Sequence, residues 1–108
     1  MQSVCEIGTG YMRFGNGFQI CYGKNSKTNL AINVPFGNVY RNASVTEISY
    51  SKPFKTIESL VISQDYSNGL GYSVSASQTV NGFSYYNVEG NSGTYNESTS
   101  YIAVGTWK

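Results

Sequence analysis

The stretch Tyr72-Ser73-Val74-Ser75-Ala76-Ser77-Gln78-Thr79-Val80-Asn81-Gly82-Phe83-Ser84-Tyr85-Tyr86-Asn87-Val88 decides how this chain is read. Tyr72, Val74, Ala76 and Val80 recur on one parity, with Ser73, Ser75, Ser77 and Thr79 on the other. Side chains two apart on a strand share a face, so 72–80 reads as a half-buried strand. Asn81-Gly82 follows, a dipeptide that takes positive φ at both centres of a two-residue turn at little cost. Residues 83–88 then read as the returning strand of an antiparallel hairpin.

Outward from this hairpin the period stays near two. Phe18, Ile20 and Tyr22 alternate with Gln19 and Cys21, and Leu30, Ile32, Val34 and Phe36 alternate with Ala31, Asn33 and Pro35. Leu60 and Ile62 alternate with Val61 and Ser63. Tyr101, Ala103 and Trp107 alternate with Ile102, Val104 and Thr106, and apolar residues on both parities there predict a strand covered on both sides. These phases put Tyr22, Tyr72 and Tyr101 in the core. No stretch of a dozen residues sustains an i, i+3, i+4, i+7 pattern, so no helix is predicted. Gly15-Asn16-Gly17 reads as a second tight hairpin turn, and 67–71 and 89–94 as longer loops. The expected fold is all-β, a compact antiparallel β-sandwich of about six to eight short strands over residues 10–108. An N-terminal arm, residues 1–9, is expected to pack on a partner or fray.

The chain has 108 residues, seven basic and six acidic side chains, a formal charge of +1 and no histidine. Charged residues make up only 12%, which gives no electrostatic reason to expect nucleic acid or an anionic membrane as partner. Apolar content of 40% argues against disorder. Without histidine, triads that use an imidazole base and His-containing metal sites are excluded. Two cysteines cannot build a four-thiolate zinc site. The apolar runs fall far short of the ~20 residues of a membrane span, and Met1-Gln2-Ser3-Val4-Cys5 has no secretory signal pattern. Cys5 and Cys21 admit a disulfide or two free thiols; lack of a signal pattern favours free thiols.

The acids are Glu6, Glu47, Glu58, Asp65, Glu89 and Glu97, and their spacing singles out no facing pair of the kind a glycosidase needs. They read as solvated surface charges. Asp65 with Asn68 supplies one carboxylate, too few for a calcium site of useful strength, so no metal and no cofactor is expected. Recognition is the better prospect. Ten tyrosines and twelve glycines accompany abundant serine and asparagine, and Tyr offers a flat apolar ring with a hydroxyl at low entropic cost. The candidate binding residues are the loop positions Asp65, Tyr66, Asn68, Asn91, Tyr95 and Asn96, with Tyr40 and Arg41 as second choices.

Four segments, in order, carry a family resemblance. Tyr11-Met12-Arg13-Phe14-Gly15-Asn16-Gly17-Phe18-Gln19-Ile20-Cys21-Tyr22-Gly23 resembles the strand, NG turn and Gln-Ile-x-aromatic-Gly strand that open the C-terminal domains of bacteriophage tail fibres. Tyr50-Ser51-Lys52-Pro53-Phe54 resembles the tract before their central strand, and Thr79-Val80-Asn81-Gly82-Phe83 their T-x-x-G-F hairpin. Tyr101-Ile102-Ala103-Val104-Gly105-Thr106-Trp107-Lys108 resembles their closing strand. Phe54-Lys55-Thr56-Ile57-Glu58 lacks the proline common in the family's central strand, and Cys21-Tyr22 stand where a tryptophan often precedes the glycine. The resemblance implies a sandwich similar to the H-type lectin fold and a homotrimer closing the distal end of a fibre in the virion. It also implies a host cell-surface glycan or protein receptor as partner; with no facing pair of acids, no catalysis is expected. These are scaffold motifs, so no ligand residue is carried over. A structural trimerisation or capping module and a stand-alone carbohydrate-binding lectin are the competing readings.

Overall fold

Strand β3 (Phe18–Phe36) is the longest element in the computed structural model, which describes residues 4–108. Residues 1–3 of the N-terminal arm lie outside the described residues. The rest of that arm contributes β1 (Val4–Gly8), antiparallel to β2 (Tyr11–Phe14). The turn from β2 into β3 is closed by Gly17 N donating to Phe14 O at 3.0 Å, with Gly17 at φ 95°. Such a backbone is inexpensive only for glycine.

The remaining strands are β4 (Val39–Asn42), β5 (Thr46–Ser49), β6 (Thr56–Ser67), β7 (Tyr72–Gln78), β8 (Gly82–Glu89) and β9 (Gly93–Thr106). All pairings are antiparallel, and the described residues contain no helix. The chain is all-β, as its period-two patterning predicts. Strand β9 lies between β3 and β6, while β8 pairs with β4, β5 and β7. The C-terminal part of β3 leads through β4 to β8, so one continuous sheet folds into two facing layers. The described residues form nine strands, against the expected six to eight. Three of them, with 19, 12 and 14 residues, are long, and the molecule measures 48 × 21 × 18 Å.

Aromatic rings join the layers at one end of the interior. Phe83 of β8 meets Tyr101 of β9 edge-on at 5.0 Å, and Tyr50 meets Phe54 edge-on at 5.1 Å. Cys21, Tyr85 and Ala103 are buried beside them, and Leu60 and Ile62 of β6 pack against this cluster. Just beyond β9, Trp107 donates its indole N–H to Phe14 O at 3.0 Å and lies under the Arg13 guanidinium, tying the end of β9 to the first hairpin.

Several phases differ from the sequence expectation. In the first part of β3 the buried residues are Gln19 and Cys21, whereas Phe18 and Tyr22 are exposed. Gln19 tolerates burial because Arg13 Nε donates to its Oε1 at 2.7 Å and its Nε2 donates to Lys52 O at 3.0 Å. The register of β3 against β9 then jumps between Lys27 and Leu30, with Asn29 at φ 53°. That bulge switches the inward parity from odd to even, which is how Ile32 comes to be fully buried. In β7, Ser73 faces inward and Tyr72 is exposed, because Ser73 Oγ bonds Gln64 and Thr99 in a polar part of the interior. Strand β9 is not covered on both sides either. Ala103 is buried but its neighbour Ile102 is 54% exposed.

The second hairpin is also displaced by one residue. Thr79 N donates to Gly82 O at 2.8 Å, so Val80 and Asn81 occupy the turn centres, and neither has positive φ. Gly82 already belongs to β8, where a Cβ would collide with Ile48 O of β5. Glycine is needed there for close strand approach.

Cys5 is exposed on β1 and Cys21 is buried, both as free thiols, and burial pushes the Cys21 thiol up. Alkylation of the folded protein is expected to modify Cys5 alone, with Cys21 reacting only after denaturation. Mass spectrometry before and after urea checks this. Phe83→Ala is expected to destabilise the fold by about 3–5 kcal/mol, read from urea unfolding, because it empties the contact between the layers.

Candidate functional site

The outer face of the β3–β9–β6 ladder runs along three long strands and carries several exposed side chains. Cross-strand partners on a sheet present their side chains on the same face, so the register gives its composition. Tyr22, Ile102 and Val61 form one transverse row, exposed by 43%, 54% and 59%. The next row is Lys24, Ser100 and Ser63, followed by Ser26, Ser98 and Tyr66. Ser26 and Ser98 hydroxyls bond each other at 2.6 Å.

Asp65 is the extra residue of a bulge between Gln64 and Tyr66, which turns its carboxylate onto this face. It accepts from Ser100 Oγ and pairs with Lys24 Nζ at 3.3 Å. The Ser100 hydrogen bond, with Lys24 beside it, holds the Asp65 carboxyl below the usual range. Tyr66 is 56% exposed in the adjacent row.

At the end of the ladder three asparagines from separate segments converge. Asn96 N donates to Asn68 Oδ1 at 3.0 Å, Asn68 N donates to Asn96 O at 3.3 Å, and Asn29 N donates to Asn96 Oδ1 at 3.1 Å. Asn96 therefore fastens the β6–β7 loop to the bulge of β3. Tyr95, one residue away and on the opposite face of β9, donates its hydroxyl to Asn91 O at 2.8 Å in the β8–β9 turn.

The structure thus brings Asp65, Tyr66, Asn68 and Asn96 onto one face and sets Asn91 and Tyr95 around the adjoining end. Tyr40 and Arg41 are elsewhere, on β4. Tyr40 stands opposite Glu89, and Arg41 stacks over the Tyr86 ring at 4.4 Å while donating to Asn42 O. Sequence reasoning passed over Tyr22, Val61, Ile102 and the serines of β3 and β9. The usable signal was the apolar residues on both parities of β9, which read equally well as two covered faces.

Sequence reasoning also passed over a pair of acids. Glu89 and Glu97, surface charges by residue type alone, are in fact 1% and 3% exposed. Both lie on the inward parity of strands that flank one short turn, a signal present in the spacing. Ser67 Oγ donates to Glu89 Oε2, and Gln64 Nε2 donates to Glu97 Oε2. Burial, then hydrogen bonding to Glu89 and its charge, push the Glu97 carboxyl up to about 7. A glycosidase pair flanks a substrate bond in an open cleft; these two acids face each other inside the sheet. Among the described residues no three His, Cys, Asp or Glu side chains gather as metal ligands.

A shallow groove of about 240 Å³ lies across β5, β8 and β7, lined by Glu47, Ser77, Thr79 and Asn81 among others. It carries hydroxyls and one carboxylate but no exposed aromatic ring, so it has less to offer a ligand than the ladder face. Comparison of the chain with family models, with curated proteins and with solved structures gives no match.

Asn96→Ala is expected to lower stability by about 0.5–1.5 kcal/mol through loss of the Asn29 hydrogen bond, with the secondary structure unchanged. Urea unfolding followed by circular dichroism checks both parts.

Proposed function

We propose that this chain is the distal receptor-binding domain of a phage tail fibre, a non-enzymatic homotrimer that recognises a host cell-surface glycan or protein for adsorption. The observation that carries this reading is the ladder face, where an apolar row and a field of hydroxyls, amides and one ion pair lie side by side and uncovered. Tyr66 supplies a ring for the apolar face of a sugar; Ser98, Ser100, Asn68 and Asn96 supply donors and acceptors for hydroxyls. The absence of strong charge suits many weak polar contacts, and three copies multiply them into useful avidity. The sequence resemblance to tail fibre C-terminal domains points the same way, and supports a location in the virion.

The row Tyr22, Ile102 and Val61 favours a second reading. Exposed apolar side chains in register across three strands suit contact with neighbouring copies. A module that only trimerises or caps a fibre needs nothing more than this row. A stand-alone lectin uses the polar part without the fibre.

Binding of fluorescently labelled protein to intact bacteria of candidate hosts, with light scattering on the same sample, separates these readings. Saturable binding by a trimer, blocked by purified surface glycan, is the expected result for a glycan receptor; loss of binding after protease treatment of the cells marks a protein receptor. Tyr66→Ala with Asn68→Ala should abolish binding and leave the trimer intact. Val61→Ser with Ile102→Ser should dissociate it. A trimer that binds no host favours the capping reading, and a stable monomer removes the fibre reading.

A further inference from the structure

The interior between the layers is apolar at the Phe83–Tyr101 end and polar at the other. Asn87 Nδ2 donates to Gln64 Oε1 at 3.1 Å and to Thr99 Oγ1 at 3.2 Å, and Gln64 in turn donates to Glu97. Glu89 and Glu97 complete this cluster. Every donor that reaches the two acids is neutral. Lys27 stands opposite Glu97 across the β3–β9 ladder, yet neither acid has an ion-pair partner among the described residues. One carboxylate oxygen, Glu97 Oε1, is buried without any hydrogen-bond partner.

Two bare negative charges side by side in such a place are too costly to persist, and one proton between them removes the repulsion and supplies the missing donor. The β6–β7 loop rests on the same pair. Ser67 Oγ bridges Glu89 Oε2 and Gly69 N, and a Cβ at Gly69 or Gly71 would collide with the Glu89 carboxylate oxygens. Leu70, at the tip, is 96% exposed, so beyond Asn68, which is tied to Asn96, the loop is held through Ser67 and Glu89.

We propose that Glu97 holds a proton and donates it in a hydrogen bond to Glu89, and that this proton latches the β6–β7 loop onto the end of the sandwich, closed in mildly acidic solution and slackening as the proton passes to water. The inference is independent of what the ladder face binds. The other titratable or charged groups around the pair are Lys27 on β3, Tyr40 and Arg41 on β4, Tyr72 on β7 and Tyr95 on β9; Asp65 and Tyr66 of β6, with Lys24 of β3, face outward. Arg41 is engaged with Tyr86, and Lys24 with Asp65. With no histidine in the chain, few groups other than Glu97 titrate near neutrality.

The sign follows from where the proton is held. Glu97 rises from the ordinary 4.5 to about 7 on folding, so between those values the folded state holds a proton that the unfolded chain has released. Stability is therefore full below 4.5, declines as pH rises, and levels off above 7. Glu6 and Asp65, held below the usual range by the Tyr11 and Ser100 hydroxyls, act in the opposite sense and only in more acidic solution.

Urea unfolding followed by Trp107 fluorescence between pH 5 and 8.5, in buffers containing chelator, tests the first half. The folding constant of the wild type should fall about tenfold per pH unit up to 7 and then flatten, while Glu97→Gln should show no such slope. A flat wild-type profile, or a variant that keeps the wild-type slope, overturns the proposal. Carbon-13 detection of the wild-type glutamate carboxyls gives the same answer if the variant fails to fold: one resonance titrating near 7 supports a proton on Glu97, and all carboxyls titrating below 5.5 refute it. Amide hydrogen exchange tests the latch. Protection at 68–71 should drop between pH 6 and 8 relative to the strand amides, and unchanged relative protection would refute it.

Discussion

The β3–β9 ladder is the constraint on which the rest of the structure depends. It runs from Phe18 opposite Thr106 to Ile32 opposite Gly93, and it fixes which residues of both strands face inward. Strand β6 takes its phase from β9, and β8 lies over the inward face of both. Without its one irregularity, at Thr28 and Asn29, Ile32 would point to solvent. Asn29 accepts the left-handed backbone more readily than most residues, so a single position sets the phase that buries Ile32.

The same ladder divides the interior. Toward Trp107 the inward residues are Cys21, Tyr101 and Ala103, and the layers meet through apolar contact. Toward the β8–β9 turn they are Thr99 and Glu97, and the layers meet through side-chain hydrogen bonds centred on Gln64 and Asn87. Apolar contact tolerates small displacements; a buried polar network does not, because a lost partner leaves a desolvated group. The two ends of the molecule are thus held by different physics, and the proton-dependent loop belongs to the polar end.

Much of the fold was legible in the residues. Period-two alternation gave an all-β chain, and Gly15-Asn16-Gly17 gave the first turn. Phase was harder to read. Tyr22 and Tyr72 looked like core residues because they are large and partly apolar, while Gln19 and Ser73 looked external because they are polar. Burial of Gln19 depends on Arg13 and the Lys52 carbonyl, neither of which is adjacent to it in sequence. Of the candidate binding residues, Asp65, Tyr66, Asn68 and Asn96 come from segments about 30 positions apart, yet share one face because β6 pairs with β9. Tyr40 and Arg41 have the same chemistry and fall elsewhere because β4 pairs with β8.

By itself the sequence determined strand character, the first turn and a surface chemistry of hydroxyls, amides and tyrosine rings, because these depend on local sterics and on residue type. Only the tertiary structure decided which parity faces inward, which apolar row stays uncovered, and that Glu89 and Glu97 meet in the interior. Those outcomes depend on strand register and on hydrogen-bond partners brought from distant parts of the chain, and a one-residue bulge is enough to reverse them.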